Sequence, residues 1–233
     1  MIINFDKHDL FSLPIYKLRI DPNSYDKKSF LETVEANYKI DPTRCNHFPE
    51  NDEFGNLHHS YADTENKSFK QVDYQGFGMA NIYDSIFKSF TSELKTIPGT
   101  MFGYNWTLEN YTAINDRFQY MKPHQHLPES DFASVHYISF DKDVHKSTSF
   151  INQNTFSSYL RYIRPEYYGL MDKNSIENSY HYHQWFSNVE EDDMVIFPSC
   201  LQHEIPKQAE NSDKLRVTVS CNLSIRNISE ETQ

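Results

Sequence analysis

The sequence predicts an α+β chain in which helices pack on one face of a β-sandwich or barrel. Three observations predict it. Helical spacing of apolar residues belongs to the first hundred positions, whereas from Trp106 onwards apolar and polar residues alternate to the end with one interruption. Helices first and strands afterwards is the order of an α+β architecture. The 16 Tyr and 17 Phe against only 6 Gly favour strands, because aromatic side chains suit a pleated, half-buried surface.

Leu10-Phe-Ser-Leu-Pro-Ile-Tyr-Lys-Leu-Arg-Ile20 reads as an opening strand, pushed towards a sheet edge by Pro14, which has no N–H for a ladder. Ser24 is placed to cap a helix running to about Tyr38, with Phe30, Leu31 and Val34 as its apolar stripe. Residues 41 to 75 read as loop, with Asp-Pro, Asn-Asp and Phe-Gly among scattered charges. His58-His59 lies in this polar stretch, where adjacent side chains point apart, and is set aside. Asn81 to Ile97 is the best helix: Ile82, Ile86, Phe87, Phe90 and Leu94 recur at helical spacing, and Pro98-Gly99 stops it. A Tyr-rich segment around Tyr159 to Tyr182 interrupts the later strands.

Composition excludes several classes. The net charge of −11 comes without any Lys/Arg block, so there is no electrostatic footprint for duplex nucleic acid. Cys45, Cys200 and Cys221 are unevenly spaced and form no C-x-x-C; they read as reduced thiols, not a disulfide frame or zinc knuckle. No apolar run reaches spanning length, and Met1-Ile-Ile-Asn-Phe-Asp6 is not a charged-then-apolar leader. A soluble cytoplasmic protein with no membrane partner is expected.

Chemistry concentrates in the second half. His124-Gln-His126 leads towards the strand Phe132-Ala-Ser-Val-His-Tyr-Ile-Ser-Phe140, and the apolar run Met194-Val-Ile-Phe-Pro-Ser-Cys-Leu-Gln-His203 ends on a third histidine. Strand side chains alternate with a period of two, so His124 and His126 share a strand face. His203, from a distant strand, then completes one face of a metal and leaves positions open for a co-substrate and oxygen. A second H-x-H, His181-Tyr-His183, lacks that company. Thirteen residues after His203, the run Leu215-Arg-Val-Thr-Val-Ser-Cys-Asn222 alternates, so Arg216 and Thr218 share a face. A guanidinium there can grip a carboxylate with two parallel hydrogen bonds, and the threonine hydroxyl can add a third. Taken singly, these are a loop H-x-H and a strand arginine in a surface ion pair.

Together the blocks resemble the 2-oxoglutarate/Fe(II) oxygenases, in particular a prolyl-hydroxylase-like branch found in bacteria and their phages. The resemblance is carried by the opening Leu10-Phe-Ser-Leu-Pro-Ile-Tyr-Lys17, the H-x-H leading into Ser134-Val-His-Tyr-Ile138, Val195-Ile-Phe-Pro-Ser-x-x-x-His203 and Arg216-x-Thr-x-Ser-x-Asn222. Residues 38 to 78 and 150 to 185 are largely unmatched. The resemblance implies a double-stranded β-helix, a jelly-roll or cupin-like barrel with helices packed on one face. One oxygenase domain would span 1–233, with 1–100 as strand and helical support and 101–226 as the catalytic core, carrying an insertion at about 150–185. Fe(II) and 2-oxoglutarate are the implied cofactors, with ascorbate as an accessory reductant. His124 and His203 are the implied iron histidines, and Arg216 the partner of the distal carboxylate of 2-oxoglutarate. Tyr111 and Tyr137, thirteen residues before and after His124, occupy places where related hydroxylases offer a tyrosine to the co-substrate; core packing is the other role open to them.

One departure matters. The wider superfamily places Asp or Glu two residues after the first histidine, and this chain has His126 there. Either His126 is the third ligand, or Glu129 or Asp131 supplies a carboxylate from just beyond, or a ligand is lost. His126 is favoured, since Asp131 lies past Pro128. Three imidazoles would make iron affinity fall as pH drops through the free-histidine range near ~6.5. The implied reaction hydroxylates an unidentified protein or peptide substrate. Trp106, Tyr120, Tyr159, Tyr162, Tyr180 and Trp185 flank the motifs and can wall a groove for an extended or proline-containing peptide. A cupin-like metal- or ligand-binding module is the second reading, and it needs no Arg216. A nucleic-acid oxidative demethylase is the third, opposed by the acidic balance. For a phage-encoded chain the compartment would be the host cytoplasm.

Overall fold

The computed structural model of the chain describes residues 13–43, 55–60, 69–94, 102–153, 155–171 and 183–227. From Phe102 on, the strands are dealt between two antiparallel sheets. In chain order they are β3 (Phe102–Ile114), β4 (Met121–His124), β5 (Phe132–Ser139), β6 (Ser149–Ile151), β7 (Gln184–Phe186), β8 (Asp193–Pro198), β9 (His203–Ile205) and β10 (Arg216–Asn227). One sheet runs β8-β5-β10-β3 and is extended at its edges by β1 (Tyr16–Arg19) beside β8 and β2 (His58–His59) beside β3. The other runs β4-β9-β6-β7. This is the two-sheet jelly roll expected.

Alternation explains how the sheets pack. On β8, Met194 and Ile196 join the cluster beneath the helices, while Val195 and Phe197 join Phe150 of the second sheet between the two layers. Buried on both faces, this strand reads as a continuous apolar run. On β10, Val217, Val219, Cys221 and Leu223 face the helices. That leaves Arg216, Thr218 and Ser220 for the interior between the sheets, and this strand places polar chemistry inside the barrel.

Two helices cover the outer face of the larger sheet. α1 (Lys27–Ile40) buries Phe30, Val34, Asn37 and Tyr38, and α2 (Met79–Glu93) buries Met79, Tyr83, Phe87 and Phe90. Lys27 ties the start of α1 to the turn before β8 through Asp192 at 2.6 Å and Glu191 at 2.9 Å. The expected opening strand is shorter than 10–20; β1 is an edge strand as Pro14 requires, and residues 10–12 lie outside the described residues. Asp26, not Ser24, caps α1, accepting from the Ser29 N–H, because Ser24 turns back to the Asp21 carbonyl. α2 starts earlier and stops earlier than 81–97, its chain turning extended at Leu94.

The loop expected over 41–75 contains β2, whose pairing with Ala113 and Thr112 buries both His58 and His59. Gly55 bridges to Met121, and a Cβ there would run into the Tyr120 carbonyl, so the chain can cross close beneath β4 only with glycine. The insertion expected over 150–185 is narrower in the structure. β6 and β7 are barrel strands, and between them lie α3 (Thr155–Ile163) and α4 (Pro165–Leu170).

Two buried histidines link fold and pH. The Tyr83 hydroxyl and His136 Nδ1 share a hydrogen bond of 2.9 Å under the helices, and burial pushes the His136 imidazole down to about 3. His145 is pushed down to about 4 by burial and the nearby Arg216 charge. The folded chain keeps both rings neutral, whereas the unfolded chain takes up protons near ~6.5. The unfolded state therefore binds more protons below that point, and stability falls as pH falls from ~6.5 towards 4. Thermal melts of metal-free protein between pH 7.5 and 5 should show this decline, with a shallower slope in His136→Gln. An unchanged slope in that variant would show that His136 does not carry the linkage.

Candidate metal and co-substrate site

Between the sheets lies a cavity of about 390 Å³, within the ordinary range for small-ligand sites. His124, His126 and His203 line it with Thr112, Thr148, Thr218 and Phe197. The three histidines offer ligand atoms that all lie within 4.8 Å of one another. His124 is brought to His203 by direct pairing of β4 with β9. His126 arrives differently. β4 ends at His124, and His126 is held beyond it by its backbone N–H donating to the Ser199 carbonyl at 3.0 Å. The two histidines thus converge on His203, but not by the strand parity expected, because His126 lies beyond the end of β4.

Hydrogen bonds set two of the tautomers. His124 Nδ1 meets the Lys122 carbonyl at 2.9 Å, and His203 Nδ1 meets the Leu201 carbonyl at 3.0 Å. A carbonyl only accepts, so both Nδ1 atoms carry the proton and both rings present Nε2 as an electron-pair donor. Burial holds His124 down at about 4 and His203 well below its ordinary value, each aided by the neighbouring imidazoles. Burial also lowers His126, opposed by the Asn222 side chain. The rings are therefore neutral, the form that binds a metal. Among the described residues no carboxylate joins this cluster. Glu129 lines the cavity apart from it, and Asp131 accepts from the Ile225 N–H at 2.6 Å.

Arg216 is 0 % exposed. Its Nε donates to the Lys146 carbonyl at 3.1 Å, and its guanidinium carbon lies 5.5 Å from the Tyr137 ring centre and 6.0 Å from that of Phe140. Nη1 and Nη2 meet no hydrogen-bond partner among the described residues. The Tyr137 hydroxyl accepts from the Thr148 N–H at 3.0 Å and donates to Thr148 Oγ1 at 2.9 Å. Thr218 Oγ1 lies 2.7 Å from Thr112 Oγ1 across the β10–β3 pair. Thr148 and Thr218 line the cavity, while Arg216, two residues before Thr218 on β10, and Tyr137, bonded to Thr148, stand next to them and off its wall. The orphaned guanidinium nitrogens fit a dicarboxylate co-substrate, and the neutral imidazoles fit a divalent metal.

Tyr111 is a correction. Thr112 faces Thr218 inside, so Tyr111, one residue earlier, faces outwards. It stacks on His58 at 5.6 Å, and its hydroxyl bonds Asn37 at 3.0 Å and His58 at 3.1 Å. It is a core residue under α1. The aromatic wall is a second correction. Trp106 packs on Phe87, Trp185 on Phe150, Tyr159 and Tyr162 stand exposed on α3, and Tyr120 lies under Lys207; none lines the cavity. Tyr180 and His181 lie outside the described residues. The sequence reading missed His59, Glu109 and Asn110, which do line the cavity. A two-residue strand and a strand irregularity leave no periodic signal.

Residues 110–222 match the family model described as "Putative 2OG-Fe(II) oxygenase". Among solved structures, the chain is similar to a Pseudomonas putida prolyl-4-hydroxylase at TM-score 0.52 and 8% identity, covering 93% of this chain and 95% of that one. A Trichoplax adhaerens prolyl hydroxylase in complex with a hypoxia inducible factor oxygen degradation domain peptide fragment matches at TM-score 0.45 and 10% identity, over 94% and 86% of the two chains. A Burkholderia pseudomallei oxidoreductase of the 2OG-Fe(II) oxygenase family matches at TM-score 0.42 and 8% identity over 67% of this chain, which spans 60% of that protein's length. No curated protein matches the sequence. At these identities the Pseudomonas likeness speaks to fold, the double-stranded β-helix.

The convergent set makes two predictions. Titrated with Co(II) and followed by its visible absorption, His203→Ala should lose metal binding, whereas His183→Ala, outside the cluster, should keep it. Equal behaviour of the two variants would mean the wrong histidines. Because burial holds His124 at about 4, binding should persist well below the ~6.5 of a free histidine, correcting the expectation of a fall there. A midpoint near 6.5 would contradict the buried, neutral site.

Proposed function

We propose that this chain, whose residues 110–222 match the family model described as "Putative 2OG-Fe(II) oxygenase", is an oxygenase that hydroxylates a protein or peptide side chain in the manner of a prolyl hydroxylase. His124, His126 and His203 hold the iron, and Arg216 with Thr218 and Tyr137 holds 2-oxoglutarate. The observation that carries this reading is the Arg216 guanidinium, fully buried with both Nη atoms unpartnered. A buried charge without a partner costs several kcal/mol (roughly, after relaxation), and a carboxylate in two parallel hydrogen bonds is the group that fits a planar fork. When bound, iron and 2-oxoglutarate supply oxidative decarboxylation to succinate and carbon dioxide, coupled to hydroxylation of a substrate.

The chain's own residues bind, orient and exclude water. Tyr137 and Phe140 wall the guanidinium, and the Lys146 carbonyl fixes its tilt through Nε. Thr218, two residues along β10, faces the same interior and offers its hydroxyl to the same ligand. The Lys122 and Leu201 carbonyls hold two ligand rings in the Nδ1–H tautomer. With His126 in place of a carboxylate, the ligand set is neutral, so the bound metal keeps its full charge and attracts an anionic co-substrate more strongly. The cupin-like reading has no use for a buried, unpartnered arginine. A demethylase reading lacks any Lys or Arg among the described residues that line the cavity.

Anaerobic titration with Fe(II) and 2-oxoglutarate tests the proposal through the weak metal-to-ligand charge-transfer band, followed by succinate release in air. The wild type should form the band and turn over 2-oxoglutarate, at least slowly and uncoupled. Arg216→Ala should weaken 2-oxoglutarate binding by roughly a hundredfold or more, the equivalent of ~3–5 kcal/mol for a broken buried pair. Arg216→Lys should recover only part, since an ammonium lacks the planar fork. Metal binding without 2-oxoglutarate binding in the wild type would replace this reading with the cupin-like module.

A further inference from the structure

The cavity changes character along β10. Beyond Thr218 along β10 stands the Arg216 cation, whereas beside Ser220 the wall carries the acceptors Glu109 and Asn110. The pairing of β10 with β3 slips between Ser220, opposite Asn110, and Cys221, opposite Leu108. Glu109 is therefore an extra residue, a bulge in β3. In an unbroken strand, Glu109 and Asn110 would face opposite sides; with the bulge both line the cavity. Asn222 donates its amide to Glu109 Oε1 at 2.7 Å, which fixes the carboxylate. Asn110 Oδ1 is buried with no hydrogen-bond partner among the described residues, and Asn110 is 6 % exposed. Glu129 adds a second carboxylate to the wall, and among the described residues no Lys or Arg lies on it.

Resting on the oxygenase reading above, we infer that the side chain this site accepts is a cation of the lysine or arginine type, received by Glu109 and Asn110 with Glu129 beside them. A buried acceptor left unpaired costs free energy, and an N–H donor from substrate is what relieves it. Two carboxylates on one concave wall, Glu109 half-buried and Glu129 at the exposed rim, attract a cation and repel an anion. A proline ring has no donor for Asn110 Oδ1, so that buried acceptor would stay unpaired beside it. Strand irregularities next to sites re-aim side chains, and this one turns a carboxylate from the helix side to the cavity.

The test uses the whole protein loaded anaerobically with Fe(II) and 2-oxoglutarate, and reads the shift of the charge-transfer band. The probes are blocked pentapeptides identical except for a central Lys, Arg, norleucine or Pro, and butylamine against butanol. The cationic probes should bind on the order of tenfold tighter than their neutral counterparts, the worth of one charge-assisted hydrogen bond. That preference should collapse in Glu109→Gln and weaken in Glu129→Gln, which changes a separate loop. Equal response to cationic and neutral probes, or none to either, overturns the inference while leaving the oxygenase reading intact. Loss of metal binding in Glu109→Gln also overturns it, because Glu109 would then serve His126 through Asn222. If the band never forms in the wild type, the oxygenase reading fails and this inference falls with it.

Discussion

A guanidinium sealed inside a barrel with one of its nitrogens bonded and two left over sets the terms for this molecule. Arg216 is fully buried, its Nε on the Lys146 carbonyl and its face against Tyr137 and Phe140. Aromatic faces recover some of the lost hydration, of order 1–2 kcal/mol for a desolvated cation, but not the several kcal/mol of burial. A side chain kept under those conditions is held for something other than the resting fold. Every neighbour is arranged to keep it there. β10 is paired on both sides, with β3 and β5, so the strand that carries Arg216 is the central one.

That centrality also organises the rest of the site. One face of β10 gives Val217, Val219, Cys221 and Leu223 to the helices, and the other gives Thr218 and Ser220 to the cavity with Arg216 buried next to them. Over roughly 20 Å of strand, at ~3.3 Å per residue, the interior passes from a cation, through hydroxyls and neutral imidazoles, to a carboxylate at the bulge. The gradient separates two recognition tasks. On the function proposed, the anionic end of a small co-substrate would be drawn to Arg216, and the opposite charge would be favoured beside Glu109.

How much of this was legible in the sequence depends on whether a feature lives in a period or in a register. The helices, the late strands and the His124, His203 and Arg216 blocks follow from spacing, and the structure brings them together. Tyr111 failed because strand pairing, invisible in one chain, decides which face is inside; Thr112 opposite Thr218 settles it. Glu109 was passed over because a bulge breaks the parity on which face assignments rest. His58 and His59 looked like a polar loop, yet two residues of pairing with β3 bury both. Asp26 and Ser24 could each cap α1, and the Asp21 turn, a tertiary choice, took Ser24 away.

The most direct measurement concerns Arg216 itself, replaced by methionine, which fills similar volume without charge. Thermal stability is measured with a redox-inert divalent metal, with and without saturating 2-oxoglutarate. The account predicts that Arg216→Met melts at or above the wild type without 2-oxoglutarate, because no buried charge is left unpaired, and gains nothing on its addition, whereas the wild type rises by several degrees, roughly the shift that ligand linkage gives well above Kd. A variant that melts well below the wild type and is still stabilised by 2-oxoglutarate would contradict it, and would make Arg216 a structural residue.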